Sequence, residues 1–531
     1  MKNQLYYNGD IITMEKDTYV EAILVKNGII SKVGNYNDVI TLSDADTELI
    51  DLNGKTLLPA FIDPHSHITA LGSTLCLVPL SGAASYDEIA QRLRDFKEKN
   101  NILPGQWIMG FGYDNNILPN ATHPTKELLD MVSTENPILI THASGHMGVV
   151  NSLALKEFGL TEASKDPEGG RIGRVSNTNE PNGYLEEKAF MNYAQKIPQK
   201  SLQEVCQYTA SAQDIYLKYG ITTVQDGMVK NAEMAQLKYL AENHMLKLDI
   251  VGYVDIKDSR NLLEENNEYV KKYKNNFKIG GYKMFLDGSP QGKTAWLTKP
   301  YLTSEDGYRG YPIYTDDAAY ELVETAVKSN VQLLTHCNGD AAPGQLINCF
   351  KKVLTTPNAN DNTRPVMIHA QTVRYDQIDA MKEIKMIPSY FVAHTYFWGD
   401  VHIENLGMER AAKISPLKTT IEKGVPFTLH QDSPVIMPDM LLTVWCAVNR
   451  ITKNGVSIGS FEQISPLEAL KGITINAAYQ YFEEDTKGSI KEGKYADLVI
   501  LDKNPLKVDP MTIKDIKVLN TIKRGEILYS I

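Results

Sequence analysis

Eight short apolar runs, separated by amphipathic stretches, leave the middle of this chain few folds to choose from. They span residues 61–67, 221–226, 248–254, 281–286, 331–336, 366–369, 386–392 and 426–432. Helix-like periodicity lies between most of them, as over 317–329 and 376–384. Strands that alternate with helices build βα units around a parallel sheet. Eight such units predict an α/β fold, a (β/α)8 TIM-like barrel, with catalytic groups at the C-terminal ends of its strands.

The two ends of the chain have a different character. Asn8-Gly9 and Asn27-Gly28 each separate β-rich runs, which is a hairpin signal. Segments 497–501 and 516–522 are also strand-like. Neither end carries enough strands for a core of its own. Residues 1–57 and 485–531 are therefore expected to join in one small β-sandwich domain, with 58–484 forming the barrel. The stretch 68–215 is too long for one βα loop. It reads as a large insertion after strand 1, with helices and loops of its own, placed over the active site.

Composition removes several function classes. The chain has 531 residues, 43% of them hydrophobic, and a net charge of -11. That is ample material for a large core and the wrong sign for tracking a nucleic-acid backbone. Cys76, Cys206, Cys337, Cys349 and Cys446 show no C-x-x-C spacing, which argues against a disulfide scaffold and a thiolate zinc site. No stretch reaches the ~18 apolar residues of a membrane span. The expected location is cytoplasmic, with neither nucleic acid nor membrane as a partner.

Polar residues at the strand ends carry the chemistry. Strand one closes in His65-Ser66-His67, and a period of two puts both imidazoles on one side as a metal half-site. Strand four carries Lys283, strand five ends in His336, strand six in His369 and strand eight in Asp432. A barrel brings these ends around one axis. Four histidines and an aspartate suit one or two divalent ions, zinc or a similar borderline metal. Cys337, one step beyond His336, is expected to face away.

Taken in order, these motifs resemble the amidohydrolase superfamily, and within it the YtcJ-like branch that includes N-substituted formamide deformylases. The resemblance rests on residues 58–67, Gly220-Ile221-Thr222-Thr223-Val224, Tyr282-Lys283-Met284-Phe285-Leu286-Asp287-Gly288-Ser289 and His336-Cys337-Asn338-Gly339-Asp340. His369-Ala370-Gln371, Gln431-Asp432-Ser433-Pro434-Val435 and the tail 487–499 complete it. It implies that His65, His67 and Asp432 bind the more buried of two metals, and that His336 and His369 bind the second. Lys283 matches the position of a carboxylated lysine bridging both. The implied reaction is hydrolysis of a non-peptide carbon–nitrogen bond by metal-activated hydroxide, with Asp432 carrying the proton to the leaving amine. An N-substituted formamide or a related small amide is the implied substrate, and a homodimer is compatible with the family.

The same scaffold serves deaminases, cyclic amidases and carbamate hydrolases, because chemistry lives in the pocket rather than the fold. A non-catalytic metal-binding barrel is the alternative of another class, and intact ligands on five strands argue against it. Many relatives read Gly-Ser-Asp where this chain has His430-Gln431-Asp432, so His430 becomes a candidate for supporting the site or contacting substrate. His146 and Asn151, in a motif at 142–152 of the insertion, are candidate substrate contacts, as are Tyr113, Trp296, Arg309 and His394. His123, His244 and His402 fall outside the pattern and read as surface or loop histidines. Gly169-Gly170-Arg171-Ile172-Gly173 lacks the strand and helix a phosphate loop needs.

Overall fold

The eight apolar runs become eight parallel strands in chain order. In the computed structural model, which describes residues 2–198, 200–304, 306–357 and 359–531, these are β1 (Phe61–Ile62), β2 (Ile221–Val229), β3 (Asp249–Asp255) and β4 (Phe277–Phe285), followed by β5 (Gln332–Cys337), β6 (Val366–His369), β7 (Ile387–Tyr390) and β8 (Thr428–Leu429). Each pairs in parallel with the next, from β1 to β8. Beyond the last strand the ring is drawn together by backbone bonds. Asp432 N donates to His65 O at 3.2 Å and His67 N to Ser433 O at 2.8 Å. The predicted barrel is thus the observed architecture.

Three strands are shorter than their apolar runs, β1, β8 and also β7, which ends at Tyr390. β1 stops at Ile62 because Pro64 has no N–H for a ladder. Residues 63–67 form a loop gripped from both sides instead, with Gly227 N of β2 bonded to Ser66 O at 2.8 Å on one side and His67 N to Ser433 O at 2.8 Å on the other. β8 stops at Leu429, and Asp432 takes a left-handed backbone with φ 56°. His369, the last residue of β6, also has a positive φ, 71°. Non-glycine residues in this region are uncommon, and such strain collects at functional sites.

Helices between the strands follow ordinary rules. Asp316–Lys328 starts at Thr315, whose side chain accepts from Ala318 N, and Asp316 and Asp317 sit in its first turn where the helix dipole favours them. Ala319, Val323, Ala326 and Val327 form its buried stripe. Inside the ring, Ile62, Val251, Leu334, Val366, Ile368 and Ile387 pack together with Tyr253 and Tyr481.

Both termini join in one sheet. Thr56–Pro59 pairs antiparallel with Leu498–Leu501 and parallel with Gln4–Ile12, so the ladder runs without a break from the last strands to the first. Asn27 and Gly28 turn the hairpin between Tyr19–Lys26 and Ile29–Gly34 with φ of 52° and 74°, the primed-turn geometry their sequence calls for. Asp249, at the start of β3, is fully buried among Lys487, Lys523 and Arg524 from the C-terminal segment, bonding Lys523 Nζ at 2.7 Å.

The chain divides into two compact units, Met1–Leu71 with Thr209–Ile531, and Gly72–Tyr208. The second contains a six-stranded mixed sheet. Its strand Ile138–His142 lies parallel to Ile108–Tyr113 and antiparallel to Met147–Val150. Among the described residues no helix is long and apolar enough to cross a membrane.

Candidate metal centre

Two imidazoles and a carboxylate converge where the barrel ring is drawn together. His65 Nε2 and His67 Nε2 each lie 3.3 Å from Asp432 Oδ1. Among the described residues, these three form the one histidine, cysteine and carboxylate group whose ligand atoms all fall within 4.8 Å of one another. The other carboxylate oxygen, Oδ2, faces His369 Nε2 at 3.9 Å. His336 follows, its ring centroid 4.6 Å from that of His369. Lys283 Nζ approaches His65 Nε2 at 3.4 Å and is fully buried. The structure therefore gathers all six predicted ligand positions, with Asp432 between the His65/His67 pair and the His336/His369 pair. It differs in one respect: His65 and His67 belong to the loop after β1, not to the strand itself.

The donor set fits a divalent cation. Asp432 Oδ1 is buried and has no hydrogen-bond partner, although two ring nitrogens lie 3.3 Å from it. Nitrogens and a carboxylate that face one another without hydrogen-bonding are what a cation held among them requires, and imidazole with carboxylate suits zinc. Protonation agrees. Burial, helped by Lys283, pulls the His65 imidazole down to about 3, so it is a neutral ligand at neutral pH. Burial, with His336 alongside, also holds His369 well below its ordinary value. Burial opposes ionisation of Asp432, yet the imidazoles of His65 and His67 outweigh it and hold the carboxyl well below the carboxylate range. Burial draws Lys283 down to about 7 against the pull of Asp432.

A supporting layer orients these groups. Gln225 Oε1 accepts a hydrogen bond from His65 Nδ1–H at 2.6 Å, which leaves Nε2 for the centre. Gln225 Nε2 donates to Pro64 O at 2.8 Å and so ties the amide to the ligand loop. A Cβ at Gly227 would stand 2.7 Å from His65 Cε1, so the bare backbone there makes room for the ring. His430 is buried with Nε2 3.1 Å from His369 Nδ1 and Nδ1 2.8 Å from Ser389 Oγ, which makes it a brace for His369. Asp287 lies 3.4 Å from His336 Nδ1 and accepts from Asn338 N at 2.9 Å, Gly339 N at 2.7 Å and Trp296 N at 3.0 Å. Gln225 and Asp287 were not anticipated. Alternation along 283, 285 and 287 places Asp287 on the Lys283 face and was the available signal.

Several other candidates have different roles. Asn151 is fully buried and caps the helix Ser152–Phe158, its Oδ1 accepting from Ala154 N and Ile138 N and its Nδ2 donating to Ser133 O and Asn136 O. With its hydrogen bonds spent on backbone it is a scaffold residue, not a substrate contact. Tyr113 is likewise a core residue, its hydroxyl 3.0 Å from His123 Nδ1. His146 is exposed and faces Glu187 at 3.1 Å. Arg309 is exposed and reaches Thr298 O at 3.4 Å. Trp296 is half-buried and meets the site through its backbone bond to Asp287. His402 is no surface residue: it is fully buried in the helix Gly399–Leu406, against His394. Cys337, one step beyond His336, is buried.

The amidohydrolase family model matches residues 48–529. A Bacillus subtilis protein named as an amidohydrolase, YtcJ, is 28% identical over 547 residues, spanning 99% of both chains. The N-substituted formamide deformylase of Arthrobacter pascens is 26% identical over 561 residues, spanning 100% of this chain and 98% of its own. A crystal structure of a metal-dependent hydrolase from Pyrococcus furiosus superposes with a TM-score of 0.76 at 27% identity, covering 95% of this chain and all of the other.

Proposed function

Because this chain belongs to the amidohydrolase family, as a metal-dependent hydrolase of carbon–nitrogen bonds other than peptide bonds, we propose that it cleaves a small amide, an N-substituted formamide, to formate and an amine. The observation that carries the reading is the meeting of His65 Nε2 and His67 Nε2 at Asp432 Oδ1, each at 3.3 Å. His65, His67 and Asp432 would hold one divalent ion, and His336 and His369 a second, with zinc the metal that suits these donors. A bound metal of this kind lowers the pKa of water toward ~7 and polarises a carbonyl oxygen.

The chain's own groups do the rest. Asp432, kept ionised at neutral pH, accepts the proton of the attacking water and returns it to the departing amine nitrogen. Gln225 and His430 fix the rings of His65 and His369, so the ligands do not reorganise during the reaction. Lys283, drawn down to about 7, has a substantial share of free amine under neutral conditions. A free amine adds to carbon dioxide, forming an N–C bond and releasing a proton. The resulting carbamate anion would stand between the two histidine pairs.

A metal-replete screen tests this reading, using N-substituted formamides, N-acetyl amines and cyclic amides, with formate and amine measured separately. Release of both from formamides in equal amounts is expected. Turnover of cyclic amides or N-acetyl amines, with formamides left intact, would overturn the substrate assignment. Bicarbonate should speed reconstitution of the metal-free protein, and indifference to bicarbonate would exclude the carbamate.

A further inference from the structure

His394 and His402 form a buried imidazole pair that the proposed reaction leaves unused. They sit on the connection after β7, His394 in the short helix His394–Phe397 and His402 in Gly399–Leu406. His394 Nδ1 lies 3.0 Å from His402 Nε2, and the rings are parallel to within 7° at a centroid distance of 5.2 Å. His394 is 4% exposed and His402 0%. Phe391 and Trp398 pack on His394 with ring centroids 4.6 Å away in both cases. Phe391 also packs on the ligand His369 and on His430, at 5.9 and 5.3 Å. His394 is thus one aromatic ring removed from the metal centre.

The pair has one proton to place between the facing nitrogens, and its surroundings decide where. His402 Nδ1 is buried and has no partner among the described residues. A proton there would be a buried N–H with nothing to donate to, which proteins avoid more strongly than an unused lone pair. His402 therefore carries its proton on Nε2 and donates it to His394 Nδ1. A neutral His394 must then carry its own proton on Nε2. Burial keeps both rings neutral, His402 drawn down to about 4 and His394 held well below its ordinary value. The Asp432 carboxylate also acts on His394, against the effect of burial. Among the described residues His394 Nε2 has no protein partner.

We propose that His402 fixes His394 as a neutral Nε2–H donor, and that this N–H hydrogen-bonds the substrate carbonyl oxygen as negative charge develops on it. No proton is transferred in this step. The imidazole stays neutral and stabilises charge as a preorganised dipole. His394 would be the catalytic group and His402 a positioning residue. The inference rests on the hydrolase reading, but not on the formamide assignment.

Two measurements test it. The first needs no substrate: nitrogen-15 chemical shifts of histidine-labelled, metal-loaded protein should show His394 protonated at Nε2 and bare at Nδ1. A proton on Nδ1 of His394 would overturn the proposal whatever the substrate proves to be. The second uses whichever amide the screen above shows to be hydrolysed. His402→Phe keeps the stacked ring but cannot donate. It should lower kcat roughly 10²-fold, the scale seen on losing one oxyanion donor, with KM and metal content nearly unchanged. His402→Gln, which can still donate from a similar position, should recover most of kcat. Wild-type kcat in a folded His402→Phe would refute the role. If that variant does not fold, the tautomer measurement and His402→Gln still decide.

Discussion

Replacing Gln225 with leucine should weaken metal binding without loosening the barrel. The amide makes three buried bonds, and two of their partners have other support. Pro64 O also accepts from Gln480 Nε2 at 2.8 Å, and the Tyr481 hydroxyl also donates to Asp63 O at 2.9 Å. His65 Nδ1 has only Gln225 Oε1, at 2.6 Å. The substitution therefore strands one buried imidazole N–H, at a cost of about 1–3 kcal/mol. The ring can escape that cost by moving its proton to Nε2, which removes the lone pair a metal needs. At about 1.4 kcal/mol per factor of ten, this predicts a ~10–100-fold loss of affinity, the range found for removing an outer-shell partner of a ligand histidine. Competition for zinc against a chromophoric chelator measures it, with urea unfolding of the metal-free protein as the control for folding. Gln225→Glu, which keeps an acceptor facing Nδ1, should bind nearly as the wild type does. Equal affinity in wild type and Gln225→Leu would refute the reasoning.

Three further outcomes follow from the same geometry. His430→Phe should reduce affinity for a second metal equivalent more than for the first, because His430 braces His369 and not His67; equal loss of both, read from the same titration, would contradict this. Gly227→Ala should push His65 off its position, since the new Cβ would stand 2.7 Å from Cε1, and should lower both metal affinity and activity; full retention would show that the loop yields freely. Asp249→Asn leaves Lys487, Lys523 and Arg524 short of a buried partner and should cost about 3–5 kcal/mol in urea unfolding at neutral pH. Burial works against ionisation of Asp249, yet the three cations outweigh it and depress its folded pKa, so the stabilisation is complete above the unfolded carboxylate pKa of about 3.9 and is lost as pH falls toward the folded value. The gap between wild type and Asp249→Asn should therefore stay constant from neutral pH to about 4 and narrow below it. A gap that widens in acid would reverse the sign and refute the assignment.

Much of this molecule could be read from its residues, for reasons that also explain the misses. The barrel strands announce themselves because each buried strand is a local apolar run, and the ligands lie at or just past the ends of those runs. The exact ends do not announce themselves. β1 breaks at Pro64, and β8 gives way to the left-handed turn at Asp432, through long-range backbone bonds between residues 65–67 and 432–433. Gln225 is one of several polar residues in its strand, beside Thr222, Thr223 and Asp226, and nothing local marks it out, since its partner His65 is 160 residues away in sequence. Asn151 was misread because a polar residue in a family-like motif resembles a ligand contact. The apolar helix that begins directly after it, Ser152–Phe158, was the local sign of a cap. His402 falls eight residues after His394, near two helical turns, and that spacing allowed the two rings to meet across adjoining helices.

The central claim is that His65, His67 and Asp432 assemble a metal centre on which hydrolysis depends. Elemental analysis of the purified protein, paired with amide hydrolysis before and after chelation, tests it most directly. One to two zinc-like ions per chain are predicted, with activity lost on chelation, restored by metal and abolished in a folded Asp432→Asn variant. Metal-free protein with undiminished activity would contradict the account.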